Sequence, residues 1–86
     1  MNWAYRLAGD ALADLRGLPI PLQEDVLDEL EQLCADPSPD RPKASEFIHD
    51  FDRRLDGTRH VVFLRLLPDS PRRTLTLLSI GVASGI

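Results

Sequence analysis

Arg54-Leu-Asp-Gly-Thr-Arg59, followed at once by the apolar run His60-Val-Val-Phe-Leu-Arg-Leu-Leu67, is the stretch that decides the fold of this chain. An Asp-Gly pair between strand-forming segments is a strong signal for a two-residue hairpin turn, because both turn positions need a positive φ. The stretch therefore predicts a β-hairpin whose second arm is the central strand of a sheet.

The segments on either side extend this hairpin into a three-stranded antiparallel meander. Before the turn, the odd-numbered residues of 47–55 are mostly apolar or aromatic and the even-numbered ones are mostly polar. This alternation predicts a strand whose odd-numbered side chains face the helices. After the central strand, Pro68-Asp-Ser-Pro71 predicts a turn and Leu75–Ile80 a third strand. We expect the last residues, from Ala83 to Ile86, to be a frayed end.

The first 35 residues predict one short strand and two helices. Trp3, Tyr5 and Leu7 alternate with Ala4 and Arg6, which is the period of a strand. From Ala8 the apolar residues recur at steps of three and four, predicting a helix that is interrupted at Gly17 and ends before Pro19. A second helix is expected to start with Pro21 at its first position. Its apolar stripe consists of Leu22, Val26, Leu27, Leu30, Leu33 and Cys34.

These elements predict an α+β fold of order β-α-α-β-β-β in a single domain spanning residues 1–86. An N-terminal strand and a helical hairpin pack on one face of a small, mainly antiparallel sheet. The proline-rich segment 36–42 predicts a semi-rigid loop inside this domain, not a boundary between domains.

The net charge of −4 is unevenly distributed. Residues 1–40 carry two basic and nine acidic side chains, a net of −7, whereas residues 41–86 carry eight basic and five acidic ones, a net of +3. The acidic total argues against long-range attraction of nucleic acid, but a local arginine surface on the second half remains open. The acidic run of the second helix is interpreted as a solvated face, with docking of a basic partner as the alternative.

Other bulk features favour a cytoplasmic protein that does not enter a membrane. The N-terminus shows no signal peptide, and no apolar run reaches the roughly 18–20 residues that span a bilayer. The single cysteine, Cys34, lies on an apolar helix stripe and is interpreted as a buried structural thiol in a reducing compartment.

Several kinds of site are excluded or made improbable by the sequence. The five glycines form no phosphate-binding loop, and one cysteine with two histidines shows no metal-ligand spacing, so we expect neither cofactor nor metal. His49 and His60 each allow two interpretations, an ordinary structural histidine or a catalytic acid/base.

Arginines are the most informative polar residues. Nine of the ten basic residues are arginine, and six lie within 21 residues around the meander: Arg53, Arg54, Arg59, Arg65, Arg72 and Arg73. The planar guanidinium suits phosphate. Arg54 and Arg59 can converge on one phosphate across the hairpin, with Arg73 on a neighbouring strand or turn. The alternative is ion pairing with nearby acids: Asp50, Asp52, Asp56 and Asp69.

A set of motifs spread over nearly the whole chain resembles the RelE/ParE superfamily of toxins from bacterial type II toxin–antitoxin systems. In order, the motifs are Trp3-x-Tyr5-x-Leu7, Leu15-x-x-Leu18-Pro19, Leu33-x-x-Asp36-Pro37, Arg54-x-x-Gly57-x-Arg59-x-Val61-Val62-Phe63 and Leu77-x-Ser79-Ile80-Gly81. The resemblance implies a RelE/ParE-like fold and a cognate antitoxin that wraps the toxin.

The resemblance also implies one of two activities. RelE-like members are metal-independent endoribonucleases that cut ribosome-bound mRNA and inhibit translation. ParE-like members share the fold and inhibit DNA gyrase. We expect the first activity; the alternatives are the second, or a catalytically weakened member whose main activity is antitoxin binding.

The site residues follow from the same resemblance. Arg59 matches the family's most persistent strand arginine, Arg54 matches the basic residue before the turn, and Arg65 lies where many members have a basic or polar residue. Arg54 and Arg59 are therefore catalytic candidates and Arg65 is a candidate for binding phosphate or RNA. On chemical grounds we add His49 to the catalytic candidates and Arg53 and Arg73 to the RNA-binding candidates. The sequence departs from the pattern after Gly81, because residues 82–86 hold neither the basic residue nor the Tyr or His of active members.

Overall fold

The computed structural model describes residues 3–35 and 45–85. The elements, in chain order, are β1 (Ala4–Leu7), α1 (Gly9–Arg16), α2 (Ile20–Ala35), β2 (Phe47–Leu55), β3 (Thr58–Asp69) and β4 (Thr74–Gly85). The predicted order β-α-α-β-β-β is confirmed. The predicted proline-rich loop 36–42 lies outside the described residues.

The four strands form one mixed sheet in the order β1-β4-β3-β2. β2–β3 and β3–β4 are antiparallel, as the meander predicts, and β1 joins the free edge of β4 in parallel. The backbone N–H of Ala8, just past β1, donates to the carbonyl of Leu77 at 2.9 Å, which ties the start of α1 to the sheet.

The helical hairpin has a short connection between residues 17 and 19. The N–H of Gly17 donates to the carbonyls of Ala13 and Asp14, closing the last turn of α1. The carbonyl of Pro19 then accepts from the N–H of Gln23 at 3.0 Å, so α2 begins at Ile20. The predicted start at Pro21 is therefore wrong by one residue; Pro21 still lies in the first turn, where a missing N–H leaves no bond unmade.

The core lies between the helices and one face of the sheet. Its buried members come from α1, α2, β3 and β4: Ala11, Leu15, Leu22, Val26, Leu30, Cys34, Val62, Leu64, Leu66, Leu75 and Leu77. The predicted burial of Cys34 is confirmed at 4% exposure. Because the described helices cover only this face, every second residue of β3 from Val62 to Pro68 is buried, and the residues between them face the open side.

The β2–β3 hairpin has the predicted two-residue turn. Asp56 has φ 50° and Gly57 has φ 81°, the two positive values that a type I′ turn requires. The turn fixes the register, so Leu55 lies opposite Thr58 and the pairing continues without a break to Phe47 opposite Leu66. As predicted, the odd-numbered side chains of β2 face the helices, and Phe47, Phe51 and Leu55 pack against the core.

A bulge in β4 changes the face that its side chains present. Arg65 pairs with Ser79 but Leu66 pairs with Leu77, so Leu78 is the extra residue. Near the bulge, the carboxylate of Asp14 accepts a hydrogen bond from the N–H of Ile80 at 3.0 Å. A side chain of α1 thus satisfies a strand N–H.

Two expectations about the ends of β3 and β4 are wrong. Ala83–Gly85 is not frayed: it continues β4 opposite Arg59–Val61. Pro68 lies within β3, and the turn comes after Asp69. Pro68 is tolerated there because β2 starts opposite Leu66, so that among the described strands β4 alone pairs with β3 at Pro68.

Within residues 3–35 and 45–85, neither helix combines the length and the apolar composition needed to cross a bilayer.

Replacing Leu64 by alanine should lower the free energy of unfolding by about 2–5 kcal/mol, because the side chain is fully buried and its removal leaves a cavity. Urea denaturation measures the change. The control is Leu12→Ala, a deletion of the same size at a residue 36% exposed on α1, and it should cost about 1 kcal/mol or less. Equal losses in the two variants would contradict this placement of the core.

Candidate functional site

The turn end of the β2–β3 hairpin, with the end of β4 beside it, brings together most of the predicted site residues. We call this region, residues 53–60 with 84–85, the hairpin end. Directly opposite residues of paired strands share a face of the sheet. The register therefore places two rows of side chains here, one on the open face and one on the helix-covered face.

The open-face row consists of Arg54, Arg59 and Gly85. Like charges directly opposite each other repel. Two contacts moderate the repulsion: Arg59 donates to the Asp52 carboxylate at 2.7–2.8 Å, and Arg54 donates to the carbonyl of Gly57 at 3.3 Å. The predicted proximity of Arg54 and Arg59 is present.

The pair of Arg59 and Asp52 is a surface contact that an incoming anion can replace. The two side chains are 56% and 55% exposed, and exposed ion pairs contribute only about 0–1 kcal/mol to stability. A phosphate, like a carboxylate, offers the guanidinium two oxygens that can accept a pair of parallel hydrogen bonds. The row can therefore bind a phosphate at small cost to the fold.

The helix-face row consists of Arg53, His60 and Ser84. Arg53 is ion-paired with Asp25 of α2 at 3.2 Å. The Nδ1 atom of His60 lies 2.7 Å from the hydroxyl oxygen of Ser84. This row is one residue from the arginine row along the strands but points to the other side of the sheet.

His49 lies on the helix-covered face, away from Arg54 and Arg59. Its Nε2 atom is 2.9 Å from Glu29 of α2, and its position is four residues, about 13 Å, along β2 from Arg53. An open groove of about 250 Å³ lies between α2 and β2; its lining residues are Asp25, Asp28, Glu29, Gln32, Phe51, Asp52 and Arg53. The acidic lining of this groove disfavours a phosphate.

Arg65 and Arg73 also lie apart from the hairpin end. Arg65 shares the open face but is six residues, about 20 Å, along β3 from Arg59, and it pairs with Glu46 at 3.3 Å. Arg73 lies beyond the far end of β3, where its carbonyl accepts from the N–H of Ala4. The expected grouping of Arg73 with Arg54 and Arg59 is therefore wrong, while its role in RNA binding stays a prediction.

Sequence reasoning missed the polar contacts between α2 and β2. Asp25 and Glu29, interpreted as part of a solvated face, instead contact Arg53 and His49. The partners are 28 and 20 residues apart, so no local pattern reveals them. The position of Arg53 opposite His60, by contrast, can be obtained from the sequence by counting residues outwards from the two-residue turn.

Among the described residues, no three or more His, Cys, Asp or Glu side chains are grouped so that they could hold a metal ion. The side chains at the hairpin end include guanidinium, imidazole, hydroxyl and carboxylate groups.

Two solved structures share this architecture over almost the whole chain. The toxin–antitoxin complex RelBE2 from Mycobacterium tuberculosis contains a chain that matches with a TM-score of 0.66 and 19% identity, covering 96% of this chain and 100% of that one. The intact RelBE toxin–antitoxin complex of E. coli contains one with a TM-score of 0.65 and 17% identity, covering 94% and 96%. No protein-family model and no curated protein matches the sequence. The predicted RelE/ParE-like fold is confirmed.

Replacing Asp52 by asparagine should strengthen binding of a short single-stranded RNA about 1.5–5-fold, because Arg59 loses the carboxylate that competes with phosphate. Fluorescence anisotropy with a labelled oligonucleotide measures the affinity. Asp69→Asn is the matched control: it removes the same charge and also breaks an arginine pair, with Arg72, but at the opposite end of β3. Equal gains in both variants would show an effect of net charge alone.

Proposed function

We propose that this chain is the toxin of a type II toxin–antitoxin system and acts as a RelE-like, ribosome-dependent mRNA endoribonuclease. The supporting observation is that a fold found in two RelBE toxin–antitoxin complexes carries, at its hairpin end, two exposed arginines side by side on the open face. In this proposal a cognate antitoxin neutralises the toxin.

The arginine row can support RNA cleavage without a metal. The attacking group is the 2′-hydroxyl of the RNA, so the protein must hold the phosphate and stabilise the negative charge that grows on it. Guanidinium groups fixed beside a phosphate do both. Arg54 and Arg59 come from adjacent strands joined by a two-residue turn, which holds their backbones in place before substrate arrives.

The overall acidity of the chain does not oppose this assignment at short range. The acids of α2 lie on the helix side of the sheet, and two of them, Asp25 and Glu29, already have partners on β2. Charges farther apart than about 8–10 Å are largely screened at physiological salt. Binding would therefore depend on local contacts at the hairpin end and on the ribosome that presents the mRNA.

One observation favours the ParE-like alternative, inhibition of DNA gyrase without catalysis. The part of β4 after Ile80 reads Gly-Val-Ala-Ser-Gly and contributes no basic or aromatic side chain to the hairpin end. The same observation fits a weakened nuclease whose main activity is antitoxin binding.

The open face of the sheet is the surface that we assign to the antitoxin. Ile48 on β2 is 65% exposed and Phe63 on β3 is 37% exposed, and both lie on the face that no helix of the described chain covers. Exposed apolar side chains grouped on one face are typical of a protein interface. An antitoxin lying here would also cover Arg54 and Arg59.

Arg59→Ala should reduce the rate of mRNA cleavage about 10²–10³-fold, because it removes a donor to the charge that forms in the transition state. Purified ribosomes programmed with a defined mRNA, followed by primer extension, give the rate. Arg72→Ala is the control, since Arg72 is 80% exposed and lies at the other end of the sheet, and it should stay within about twofold of the unmodified protein. Full cleavage by Arg59→Ala would refute the role of the arginine row.

Ile48→Glu should weaken antitoxin binding at least about tenfold, because it places a charge at the centre of an apolar contact. The exposure of Ile48 means that the fold should tolerate the change. Ile20→Glu is the matched control, because Ile20 is 62% exposed but lies on α2. Calorimetry with the purified antitoxin compares the two; a larger loss in Ile20→Glu would move the interface to the helix layer.

A further inference from the structure

The open face of the sheet carries an aromatic and a carboxylate side by side near the middle of β3. Phe63 of β3 lies directly opposite Asp50 of β2 on one side and Gly81 of β4 on the other. Directly opposite residues of an antiparallel pair share a face and have Cα atoms about 4.5–5.5 Å apart, so a single ligand can contact both side chains. We call these three residues the central site.

Phe63 offers an aromatic surface to solvent. Its side chain is 37% exposed, although the residues on either side of it in β3, Val62 and Leu64, are fully buried. Apart from the chain neighbours of Gly81, no described atom lies within 4 Å of the position that a Cβ would take on this glycine, so the space there is open. An exposed ring with an open flank is a surface on which an unpaired nucleobase can stack.

Asp50 is the polar group of the central site, and in the described part of the chain its carboxylate has no partner. The acids two residues after it and four residues before it are both ion-paired, Asp52 with Arg59 and Glu46 with Arg65. A carboxylate accepts hydrogen bonds and donates none. Asp50 is therefore available to a ligand that presents N–H donors.

Guanine is the base whose hydrogen-bonding edge matches this carboxylate. Its Watson–Crick edge carries two adjacent donors, N1–H and the 2-amino group, which can bond to the two oxygens of Asp50 at once. Adenine and cytosine present one amino donor beside an acceptor nitrogen, and uracil presents one N–H between two carbonyls. Each of these three bases would place an acceptor against a carboxylate oxygen, so Asp50 favours guanine.

The charges around the central site suit a base better than a phosphate. The carboxylate of Asp50 would repel a phosphate placed on Phe63. On the same face, Arg65 lies two residues, about 7 Å, along β3 in one direction, and Arg59 lies four residues, about 13 Å, in the other. Both arginine side chains are more than half exposed, so the phosphates on either side of a stacked base have cations to bind.

We propose that the central site binds a guanine base of the RNA, with Phe63 stacking on the base and Asp50 selecting guanine over the other bases. This inference rests on the proposed function and adds a base preference to it. The central site lies on the face that we assign to the antitoxin. A bound antitoxin would therefore cover Phe63 and exclude the RNA.

The test measures binding of short single-stranded RNAs by fluorescence anisotropy. The oligonucleotides differ at one position, which is guanosine, inosine or adenosine; inosine differs from guanosine only in lacking the 2-amino group. We expect the guanosine RNA to bind about 2–10-fold more tightly than the inosine RNA, the range of one hydrogen bond. It should bind at least about fivefold more tightly than the adenosine RNA, because a bidentate contact is lost.

Asp50→Asn should remove the preference for guanosine, because an amide presents one donor and one acceptor where the carboxylate presents two acceptors. Asp69→Asn is the matched control: it removes the same charge from the open face at the opposite end of β3 and should keep the preference. A preference for guanosine that survives in Asp50→Asn would overturn the role of Asp50.

Phe63→Leu should weaken binding of all three RNAs at least about fivefold, the lower end of the range for stacking of one base, whereas Phe63→Trp, which keeps an aromatic ring, should bind like the unmodified protein. Thermal melting of each variant shows whether the fold is retained. If Phe63→Leu binds RNA normally and loses only antitoxin binding, Phe63 belongs to the antitoxin surface alone and its stacking role is overturned.

Cleavage of defined mRNAs on purified ribosomes separates the inference from the proposed function. Faster cleavage of codons that hold guanine at one fixed position would support both. If the unmodified protein cuts mRNA but neither cuts nor binds with a preference for guanine, the inference is overturned and the nuclease remains. If it binds guanosine RNA selectively and cuts no mRNA, the nuclease is overturned and the base contact remains.

Discussion

The packing of two helices on one face of a four-stranded sheet is the constraint from which the rest of this structure follows. In the described chain, the buried side chains of the core form a single layer. They come from α1 and α2 on one side and from the helix-facing residues of β3 and β4 on the other. A chain of this size buries a modest share of its surface, so this one layer must supply most of the stability. The opposite face of the sheet is left open to solvent in the described structure, with Ile48 and Phe63 exposed on it.

The same constraint determines where the functional groups lie. Alternation along β2 and β3 places Arg54 and Arg59 on the open face and Arg53 and His60 on the covered face, one residue away. A two-residue turn keeps both rows at one end of the sheet. The hairpin end therefore presents one row of polar side chains on each face, and a partner lying on the open face would cover only the row that contains Arg54 and Arg59.

The arginines at the hairpin end interact with nearby carboxylates that another anion could replace. Arg53 and Arg59 are each paired with a carboxylate, and each is about half exposed. Such pairs add little to stability, so replacing the carboxylate by another anion would cost the fold little. The acidic composition of the chain is thus compatible with an anion-binding end.

Much of the fold could be predicted because it depends on local signals. Period-two and period-3.6 patterns locate the strands and helices, and the Asp-Gly turn fixes the β2–β3 register residue by residue. Non-local features could not be predicted this way. The bulge at Leu78, the pairing of Ala83–Gly85 with β3, and the contacts of Asp25 and Glu29 with β2 all depend on how distant segments meet. The proximity of Arg54 and Arg59 was accordingly predicted correctly, because one hairpin contains both residues. The grouping of Arg73 with them was predicted wrongly, because it required the position of a residue beyond the next strand.

The central claim is that this fold and its arginine-bearing hairpin end act on translation. The most direct measurement is induced expression of the chain in bacteria that lack the antitoxin, with pulse-labelling of protein and DNA synthesis and mapping of mRNA ends. The account predicts a rapid fall in protein synthesis together with new mRNA 5′ ends, before DNA synthesis declines. Arrest of DNA synthesis with intact mRNA would contradict it and identify gyrase as the target, and continued synthesis of both would show that the hairpin end is not catalytic.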